Sequence, residues 1–194
     1  MIVGVVLAAG TSQRLGQPKQ LLELEGKPLL QHAVDRAADH FDEVVVVLGH
    51  EAARIEAALD LSSTGRVVLN ERFADGHHGS VRVGFAEASK SGADVAMLLG
   101  DQPYIGADLV ERTIVAFRNS TAAVVRPRHG EAPGHPVLVR SVMAAELGSG
   151  GDEALGPALR GPEVEWIDGG PEPPADVDTW EAYETLRAAH RDDR

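Results

Sequence analysis

The chain contains no cysteine among its 194 residues. That absence excludes a disulfide framework, a thiolate zinc site and a cysteine nucleophile. Aromatic residues make up only 4 % of the chain. Basic residues are fewer than acidic ones: 18 Lys and Arg against 30 Asp and Glu give a formal net charge of −12. This balance argues against binding to a nucleic-acid backbone, because proteins that bind it present a basic face. A local basic pocket for a small anion stays open.

Long hydrophobic runs are missing as well. The longest apolar run near the start covers residues 2–9; it is too short to span a bilayer and lacks the basic segment of an export signal. We therefore expect no membrane segment and a cytoplasmic location. The hydrophobic fraction of 43 % and the charged fraction of 25 % are typical of a globular protein, and the length suits one domain. We expect residues 1–194 to form that domain.

Short valine-rich runs alternate with helical patterns along most of the chain. Strands are predicted over residues 2–8, 43–48, 66–70, 94–99, 122–126 and 163–167, and helices over residues 29–40, 51–59, 80–90, 107–119 and 179–189. Because the strand runs are continuously apolar, they favour strands covered on both faces. The sequence therefore predicts a doubly wound, Rossmann-like α/β fold with a mostly parallel sheet and helices on both faces. The glycine-rich residues 148–151 and 169–174 are predicted as turns or flexible segments.

Ligands of such sheets bind beyond the carboxyl ends of the strands, so the loop after the first strand is the first candidate site. Residues 10–19 combine small residues, hydroxyls and two cations, Arg14 and Lys19. Small residues let backbone N–H groups approach phosphate oxygens, and the two cations can neutralise them. The spacing is neither that of a Walker A loop nor G-x-G-x-x-G. A solvent-exposed turn with ordinary surface cations is the open alternative.

A second candidate follows the predicted strand 94–99, where the sequence reads Gly-Asp-Gln-Pro. Asp101 at the end of a buried strand suits Mg²⁺ beside phosphates, and Gly100 would permit close approach of a ligand. The alternative is a capping role for Asp101 in the helix that begins near Gly106, although its distance from that helix favours the metal. Asp178, just before the last predicted helix, is either a second metal ligand or part of that helix's cap.

Two further candidate segments contain histidine. Residues 76–80 open a helix, where free N–H groups suit an anion or the edge of a nucleobase. The adjacent His77 and His78 do not make a chelating pair, and a polar loop capped by Ser80 is the competing interpretation. His135, in a Gly-His-Pro turn, is either a substrate contact or a structural histidine.

Together these segments resemble the MobA-like NTP transferase family, and within it most closely the molybdenum cofactor cytidylyltransferases. The family signature L-A-A-G-x-S-x-R-[ML]-G-x-x-K is matched by residues 7–19, G-D-Q-P by residues 100–103 and G-H-P by residues 134–136. A late D-T-P-E-D segment is half matched by residues 178–181. Relatives that use GTP tend to carry L-A-G-G at residues 7–10, so the resemblance implies CTP.

The resemblance implies a Mg²⁺-dependent nucleotidyltransferase that moves CMP from CTP, or a nucleotide from another NTP, onto a phosphorylated small molecule. The implied acceptor is the molybdopterin-type molybdenum cofactor, with pyrophosphate released and transient contact with a molybdoenzyme. Arg14, Lys19 and Asp101 would be catalytic, and Asp101 and Asp178 would hold the metal. The implied nucleotide-binding residues are Leu7, Ala8, Ala9, Gly10, Thr11, Ser12, Arg14, Lys19, Gly76, Ser80 and Asp101; the implied acceptor-binding residues are Gln102, Pro103 and His135.

The chain departs from its relatives in two segments. They usually read G-[MQ]-S-S-S-[LI]-R at residues 76–82 and G-D-x-G-A-R at residues 151–156, and the second change removes a cation from a region that would face the acceptor. Two alternatives therefore stay open: a nucleotidyltransferase with another phosphate acceptor, and a non-catalytic cofactor-binding chaperone of the same fold. An NAD-dependent oxidoreductase is disfavoured because G-x-G-x-x-G is missing.

Overall fold

The computed structural model describes residues 1–189 and contains an eight-stranded sheet with helices on both faces. The strands are β1 Ile2–Leu7, β2 Glu23–Leu24, β3 Lys27–Pro28, β4 Glu43–Leu48, β5 Gly65–Leu69, β6 Asp94–Leu99, β7 Val124–His129, β8 Ala132–Pro133, β9 Val137–Val139 and β10 Val164–Asp168. The helices are α1 Leu29–His40, α2 Ala52–Glu56, α3 His77–Ala88, α4 Ala107–Asn119, α5 Ser141–Ser149, α6 Asp152–Arg160 and α7 Trp180–Ala189. Short 3₁₀ helices cover Lys19–Leu21, Phe73–Asp75 and Ser89–Ser91. Residues 190–194 of the predicted domain lie outside the described residues.

The large sheet has the strand order β10-β7-β9-β6-β1-β4-β5, with β8 paired to β7, and β2 and β3 form a separate hairpin. Strand β1 runs parallel to both β4 and β6, whereas β9 is antiparallel to β6 and β7. The prediction of a mostly parallel sheet is confirmed. Leu7 is in register with Leu99, and the Gly100 N–H donates to the Leu7 carbonyl at 2.9 Å. The loop after β1 therefore begins beside the segment that follows β6.

Apolar cores on both faces explain the continuously apolar strand runs. Residues of α1, α2 and α4 pack on one face, and residues of α3, α5 and α6 pack on the other. Every residue of β1 is buried, with alternate side chains entering the two cores. Such strands cannot alternate between apolar and polar residues, because neither face meets solvent. Among the described residues, no helix has both the length and the apolar composition needed to cross a bilayer.

A third apolar cluster fastens the C-terminal segment over the loop after β1. Tyr183 of α7 donates a hydrogen bond from its hydroxyl to the Glu23 carbonyl, and the Val177 N–H donates to the Asp101 carbonyl at 3.0 Å. These contacts bring residues 176–178 over the carboxyl end of β6, although they lie far away in sequence. The buried members of the cluster are Leu15, Leu22, Leu29, Val177 and Tyr183.

The C-terminal third departs most from the sequence-based prediction. The prediction of a turn or flexible segment at residues 148–151 is wrong in part, because Gly148 and Ser149 form the last turn of α5. The glycine serves helix packing there: a Cβ at Gly148 would lie 2.6 Å from the Ala86 nitrogen of α3. Helix α6 was not predicted, and the helix expected over residues 51–59 is the shorter Ala52–Glu56.

The predicted cap at Ser80 is wrong, whereas helix α7 has a side-chain cap at its start. Helix α3 begins at His77, so Ser80 lies inside it and does not cap it; its buried hydroxyl accepts a hydrogen bond from Asn70 Nδ2 at 2.9 Å. Thr179 does cap α7, since its Oγ1 accepts from the Ala182 N–H at 3.2 Å. This cap leaves the neighbouring Asp178 carboxylate free for other contacts.

Candidate active site

The loop after β1 is held in shape by the buried side-chain amide of Gln20, which is 2 % exposed. Its Nε2 donates to the carbonyls of Ala8 and Gly10, at 2.8 and 3.2 Å. Ser12 Oγ donates to Gln20 Oε1 at 3.4 Å and accepts from the Lys19 N–H at 3.0 Å. The start and the end of the loop are thus tied through one side chain. The sequence analysis missed Gln20, because nothing in its pattern distinguishes a buried glutamine from a surface one.

Lys19 is the centre of a charged cluster at the edge of the sheet. Its Nζ donates to Asp101 Oδ2 at 2.6 Å and to Asp178 Oδ1 at 2.7 Å, while Arg14 Nη1 lies 3.6 Å from Asp178 Oδ2. Burial opposes the charge on Lys19, but the two carboxylates outweigh it and raise the pKa of the ammonium. The hydrogen bond from Lys19 in turn lowers the pKa of Asp178. The four residues predicted to be catalytic or metal-binding therefore lie together.

The carboxylates of Asp101 and Asp178 fit a divalent cation. Both bind the same Nζ atom, so their oxygens converge on one point. The second oxygen of Asp101, Oδ1, is buried and has no hydrogen-bond partner among the described residues. Oxygen ligands of this type suit Mg²⁺, which is normally held by one or two carboxylates together with phosphates and water. No cluster of three or more His, Asp or Glu side chains with metal-binding geometry occurs within residues 1–189.

A cleft of about 400 Å³ opens between the loop after β1, the end of β6 and the start of α3. Of the predicted nucleotide-binding residues, all but Ser12 and Arg14 line it, and those two line an adjoining cleft of about 280 Å³. The side chain of Lys19 borders both clefts. The two clefts together therefore follow the loop along its length. The wall across from the loop consists of Phe73, Ala74, Gly76, His77 and Ser80.

Gly100, at the end of β6, is closely surrounded by neighbouring residues. A Cβ there would lie 2.7 Å from Leu30 Cδ1, 3.0 Å from Ala8 Cβ and 3.1 Å from the Leu7 carbonyl oxygen. The absence of a side chain is thus required by packed neighbours; Gly100 also lines the main cleft, so close approach of a ligand to it stays a prediction. At Gly10, in contrast, a Cβ would meet nothing within 4 Å.

Gln102 and Pro103 follow Asp101 directly in the chain. Both are buried, and neither lines the two clefts. Gln102 Nε2 donates to Asp176 Oδ1 at 2.7 Å and so holds the segment that carries Asp178. Burial, together with the charges of Asp101 and Asp178, raises the pKa of Asp176 against the opposing effect of Gln102. The geometry thus gives Gln102 a supporting position, and a contact of Gln102 or Pro103 with an acceptor stays a prediction.

His135 lies outside both clefts, next to a buried arginine that the sequence analysis missed. Arg126 is 3 % exposed; its Nε and Nη2 donate to the Gly134 carbonyl at 3.2 and 2.8 Å, and its Nη1 donates to the Leu159 carbonyl at 2.9 Å. Burial, with the nearby charge of Arg160, lowers the pKa of Arg126 to about 10. Burial followed by the charge of Arg126 lowers the pKa of His135 to about 3. The half-buried His135 is therefore neutral at physiological pH, and its contact with an acceptor stays a prediction.

The profile of the MobA-like NTP transferase domain matches residues 4–162, which include both clefts and the carboxylate Asp101. The chain belongs to this family. The family expectation drawn from the motifs is confirmed.

Several named proteins are similar to this MobA-like protein in sequence or in structure. Rv0371c of Mycobacterium tuberculosis H37Rv is 34 % identical, with a TM-score of 0.79 over 96 % of this chain and 97 % of that one. A structure of Rv0371c in complex with manganese has a TM-score of 0.76 and 30 % identity over 97 % and 98 % of the two chains. The bifunctional protein GlmU of Koribacter versatilis is 37 % identical over 61 % of this chain, and a probable molybdenum cofactor guanylyltransferase of Thermococcus sibiricus is 31 % identical over 66 %. This chain spans only 26 % of the former and 62 % of the latter.

Proposed function

We propose that this MobA-like protein transfers CMP from CTP onto a phosphorylated acceptor, the molybdopterin-type molybdenum cofactor, and releases pyrophosphate. The observation that carries the proposal is the position of the Lys19 ammonium, at the end of the loop after β1 and between the carboxylates of Asp101 and Asp178. Cations for a triphosphate and oxygen ligands for a divalent metal thus meet at one point. The choice of CTP rests on the Leu-Ala-Ala-Gly sequence of residues 7–10.

The reaction requires the protein to position the two substrates and to neutralise their charge; it does not require a nucleophilic side chain. An ionised oxygen of the acceptor phosphate attacks the α-phosphorus of the nucleotide. The bond from that phosphorus to the bridging oxygen breaks, and pyrophosphate leaves with the electron pair. Because the attacking oxygen is already ionised, no general base is required; alignment and neutralisation of the phosphates supply the catalysis.

The chain offers two cations for that neutralisation. Lys19 is mostly buried, with 14 % of its side chain exposed, whereas 73 % of the Arg14 side chain is exposed. Arg14 can therefore move onto incoming phosphates freely, while Lys19 is held beside the reacting centre by its carboxylate partners. Both would bind the triphosphate, Arg14 with its planar fork and Lys19 as a compact charge.

A divalent cation would be held by Asp101 and Asp178. When bound there it supplies further neutralisation of the phosphate oxygens and fixes their orientation. The buried and unpartnered Oδ1 of Asp101 supports this assignment, because a buried charged oxygen without a partner is costly. The manganese complex of the M. tuberculosis relative supports a divalent ion, and we propose Mg²⁺ as the natural one.

Pyrophosphate release tests the proposal directly. The protein is incubated with Mg²⁺, the molybdopterin-type acceptor and each of CTP, GTP, ATP and UTP in turn. We expect release with CTP to exceed that with any other nucleotide by at least about tenfold, a difference of about 1.4 kcal/mol in transition-state binding, and to cease when EDTA removes the metal. Faster release with GTP would overturn the choice of base. No release with any nucleotide would overturn the transfer.

A second acceptor class is favoured by residues 151–156, which lack the cation that relatives carry in this region. A panel of sugar phosphates and other phosphate monoesters, tested with the preferred nucleotide, separates this possibility from the first. A cofactor-binding chaperone would show a different result. It would bind the nucleotide and gain thermal stability by mass action, yet form no product with any acceptor.

A further inference from the structure

The oxygens of Asp101 and Asp178 are covered by cations of the loop after β1. Oδ2 of Asp101 accepts a hydrogen bond from Lys19 Nζ at 2.6 Å, and Oδ1 of Asp178 accepts from the same nitrogen at 2.7 Å. Oδ2 of Asp178 lies 3.6 Å from Arg14 Nη1, and Oδ1 of Asp101 is buried. Asp101 therefore has no oxygen that is both open to solvent and free of a cation.

The ammonium of Lys19 occupies the point that a metal ion held by both carboxylates needs. Mg²⁺ binds oxygen ligands at about 2.0–2.1 Å, so an ion bound by these two oxygens together would lie close to the position of Nζ. Two cations cannot share that position, and their repulsion is poorly screened beside a side chain of which only 14 % is exposed. Asp101 and Asp178 can therefore bind one ion together only after Lys19 has moved.

The side chain of Lys19 can move while its backbone stays in place. The Lys19 N–H donates to Ser12 Oγ at 3.0 Å, and Ser12 is tied to the buried Gln20, so the loop is fixed at this residue. The four-carbon stem of a lysine is flexible, and its ammonium is a compact charge without a required orientation. Because the side chain borders both clefts, a triphosphate along the loop would offer the ammonium other acceptors.

Arg14 covers the second oxygen of Asp178 more loosely. Its side chain is 73 % exposed, and its distance of 3.6 Å from the carboxylate is longer than a hydrogen bond. Phosphate oxygens would therefore compete easily for this guanidinium. The two cations assigned to the triphosphate thus contact the same carboxylates that are assigned to the metal.

We propose that Lys19, assisted by Arg14, closes the metal site until a nucleotide binds, and that the triphosphate opens the site by drawing the ammonium off Asp101 and Asp178. The inference rests on the proposed function and describes how its nucleotide and its metal are coupled. Without nucleotide, a divalent ion has to displace Lys19 against the attraction of both carboxylates. With nucleotide, the phosphates supply the ammonium with other acceptors, so each ligand strengthens the binding of the other.

Binding of Mn²⁺ alone tests the closure, because the electron paramagnetic resonance signal of free Mn²⁺ shows how much of the ion is bound. We expect Lys19→Met to bind Mn²⁺ about tenfold more tightly than the wild type, an effect within the usual range for coupled sites. Lys90→Met is the matched control: Lys90 also pairs with a carboxylate, that of Glu87, but neither residue lines the two clefts. Its Mn²⁺ affinity should differ from that of the wild type less than about twofold. The double variant Lys19→Met/Asp101→Asn should lose the gain.

Three results would overturn the closure. They are equal or weaker Mn²⁺ binding by Lys19→Met, an equal gain in Lys90→Met, and a gain that persists in the double variant, which would place the ion elsewhere. Arg14→Met decides the case if Lys19→Met does not fold, because Arg14 is mostly exposed and its replacement leaves the core intact. We expect a gain of about threefold there, as for the loss of an exposed ion pair, and no gain would reject the inference.

The analogue α,β-methylene-CTP tests the opening by the triphosphate. Phosphates bind Mn²⁺ themselves, so the contribution of Lys19 is the difference in Mn²⁺ affinity between the wild type and Lys19→Met. When the analogue saturates both proteins, that difference should vanish or reverse, because the ammonium of the wild type has already left the carboxylates. Tighter Mn²⁺ binding by Lys19→Met that survives saturation would contradict the opening.

These measurements require no turnover, so a failure of this inference can be told from a failure of the proposed function. If the wild type releases pyrophosphate while Lys19→Met binds Mn²⁺ no more tightly than the wild type, the closure fails and the proposed transfer stands. If no nucleotide is transferred, the proposed function fails, and the resonance measurement still decides whether Lys19 closes the two carboxylates to a metal ion.

Discussion

The Nζ atom of Lys19 lies 2.6 Å from Oδ2 of Asp101, although 82 residues separate the two in sequence. The contact depends on the parallel pairing of β1 with β6, which places the two carboxyl-terminal extensions side by side. Asp178 joins them at 2.7 Å from the same nitrogen, because the 176–178 segment is fastened over β6. We propose that this ammonium and its two carboxylates receive the phosphates and a metal ion.

Replacement of Lys19 by Met should abolish most of the activity without unfolding the protein. The variant removes the cation beside the reacting phosphates and leaves Asp101 and Asp178 without their shared partner. Loss of one such electrostatic contact costs about 10²–10³ in kcat, measured as pyrophosphate release from CTP. Lys90→Met, at an exposed lysine paired with Glu87, is the control and should retain activity. Near-normal release by a folded Lys19→Met variant would refute the role.

Asp101→Asn should remove the response to a divalent metal. The amide keeps the size of the side chain but loses the charge that Mg²⁺ requires. We expect release of pyrophosphate to fall at least about 100-fold and to be insensitive to a Mg²⁺ titration. Asp108→Asn, at an exposed aspartate paired with Arg112, should behave as the wild type. A metal-titration curve in Asp101→Asn equal to that of the wild type contradicts the assignment.

Gln20→Leu tests whether the buried amide shapes the triphosphate loop. Leucine has a similar volume, but the carbonyls of Ala8 and Gly10 lose their donor. Leaving such buried groups unpaired costs about 1–3 kcal/mol in the free energy of unfolding, measured by urea denaturation. We also expect a raised KM for CTP, because the loop loses its fixed form. Gln17→Leu, at an exposed glutamine of the same loop, should change neither quantity, and equal effects from both variants would argue against a specific role.

His135 should make the stability of the protein fall as the pH decreases. Burial, then the charges of Arg126, His77, Arg160 and His129, lower the pKa of native His135 from its ordinary 6.5 to about 3. Between those values the unfolded chain binds a proton that the native state excludes, so the stabilisation is complete above pH 6.5 and is lost as the pH falls towards 3. In urea denaturation at pH 8, 6 and 5, His135→Gln should lose less stability than the wild type. Parallel pH dependences in the two proteins would contradict this.

The first two thirds of the fold could be predicted from the sequence, because there the hydrophobic pattern agrees with the burial of the residues. The predicted boundaries of β4, β6, α1 and α4 match the structure, since each is an unbroken apolar run or an amphipathic segment between clear breaks. Helices α5 and α6 were missed because Gly148 and Pro157 are residues that normally mark turns. At Gly148, close packing against α3 overrides that local signal.

The charged residues of the site were also predictable, whereas the buried polar residues that hold the surrounding backbone in place were not. Arg14, Lys19, Asp101 and Asp178 follow strand ends or precede a helix, where sheet geometry brings side chains together. The buried side chains of Gln20 and Arg126 donate hydrogen bonds to backbone carbonyls that the fold turns inward. The hydrophobic periodicity of the sequence does not reveal which carbonyls these are.

A crystal structure of the protein with α,β-methylene-CTP and Mn²⁺ tests the central claim most directly, since the anomalous signal of manganese locates the ion. We predict an anomalous peak within coordination distance of the Asp101 carboxylate, a triphosphate enclosed by residues 10–19, and Lys19 Nζ and Arg14 in contact with its oxygens. A triphosphate bound away from this loop, or a manganese ion that does not contact Asp101, would contradict the account.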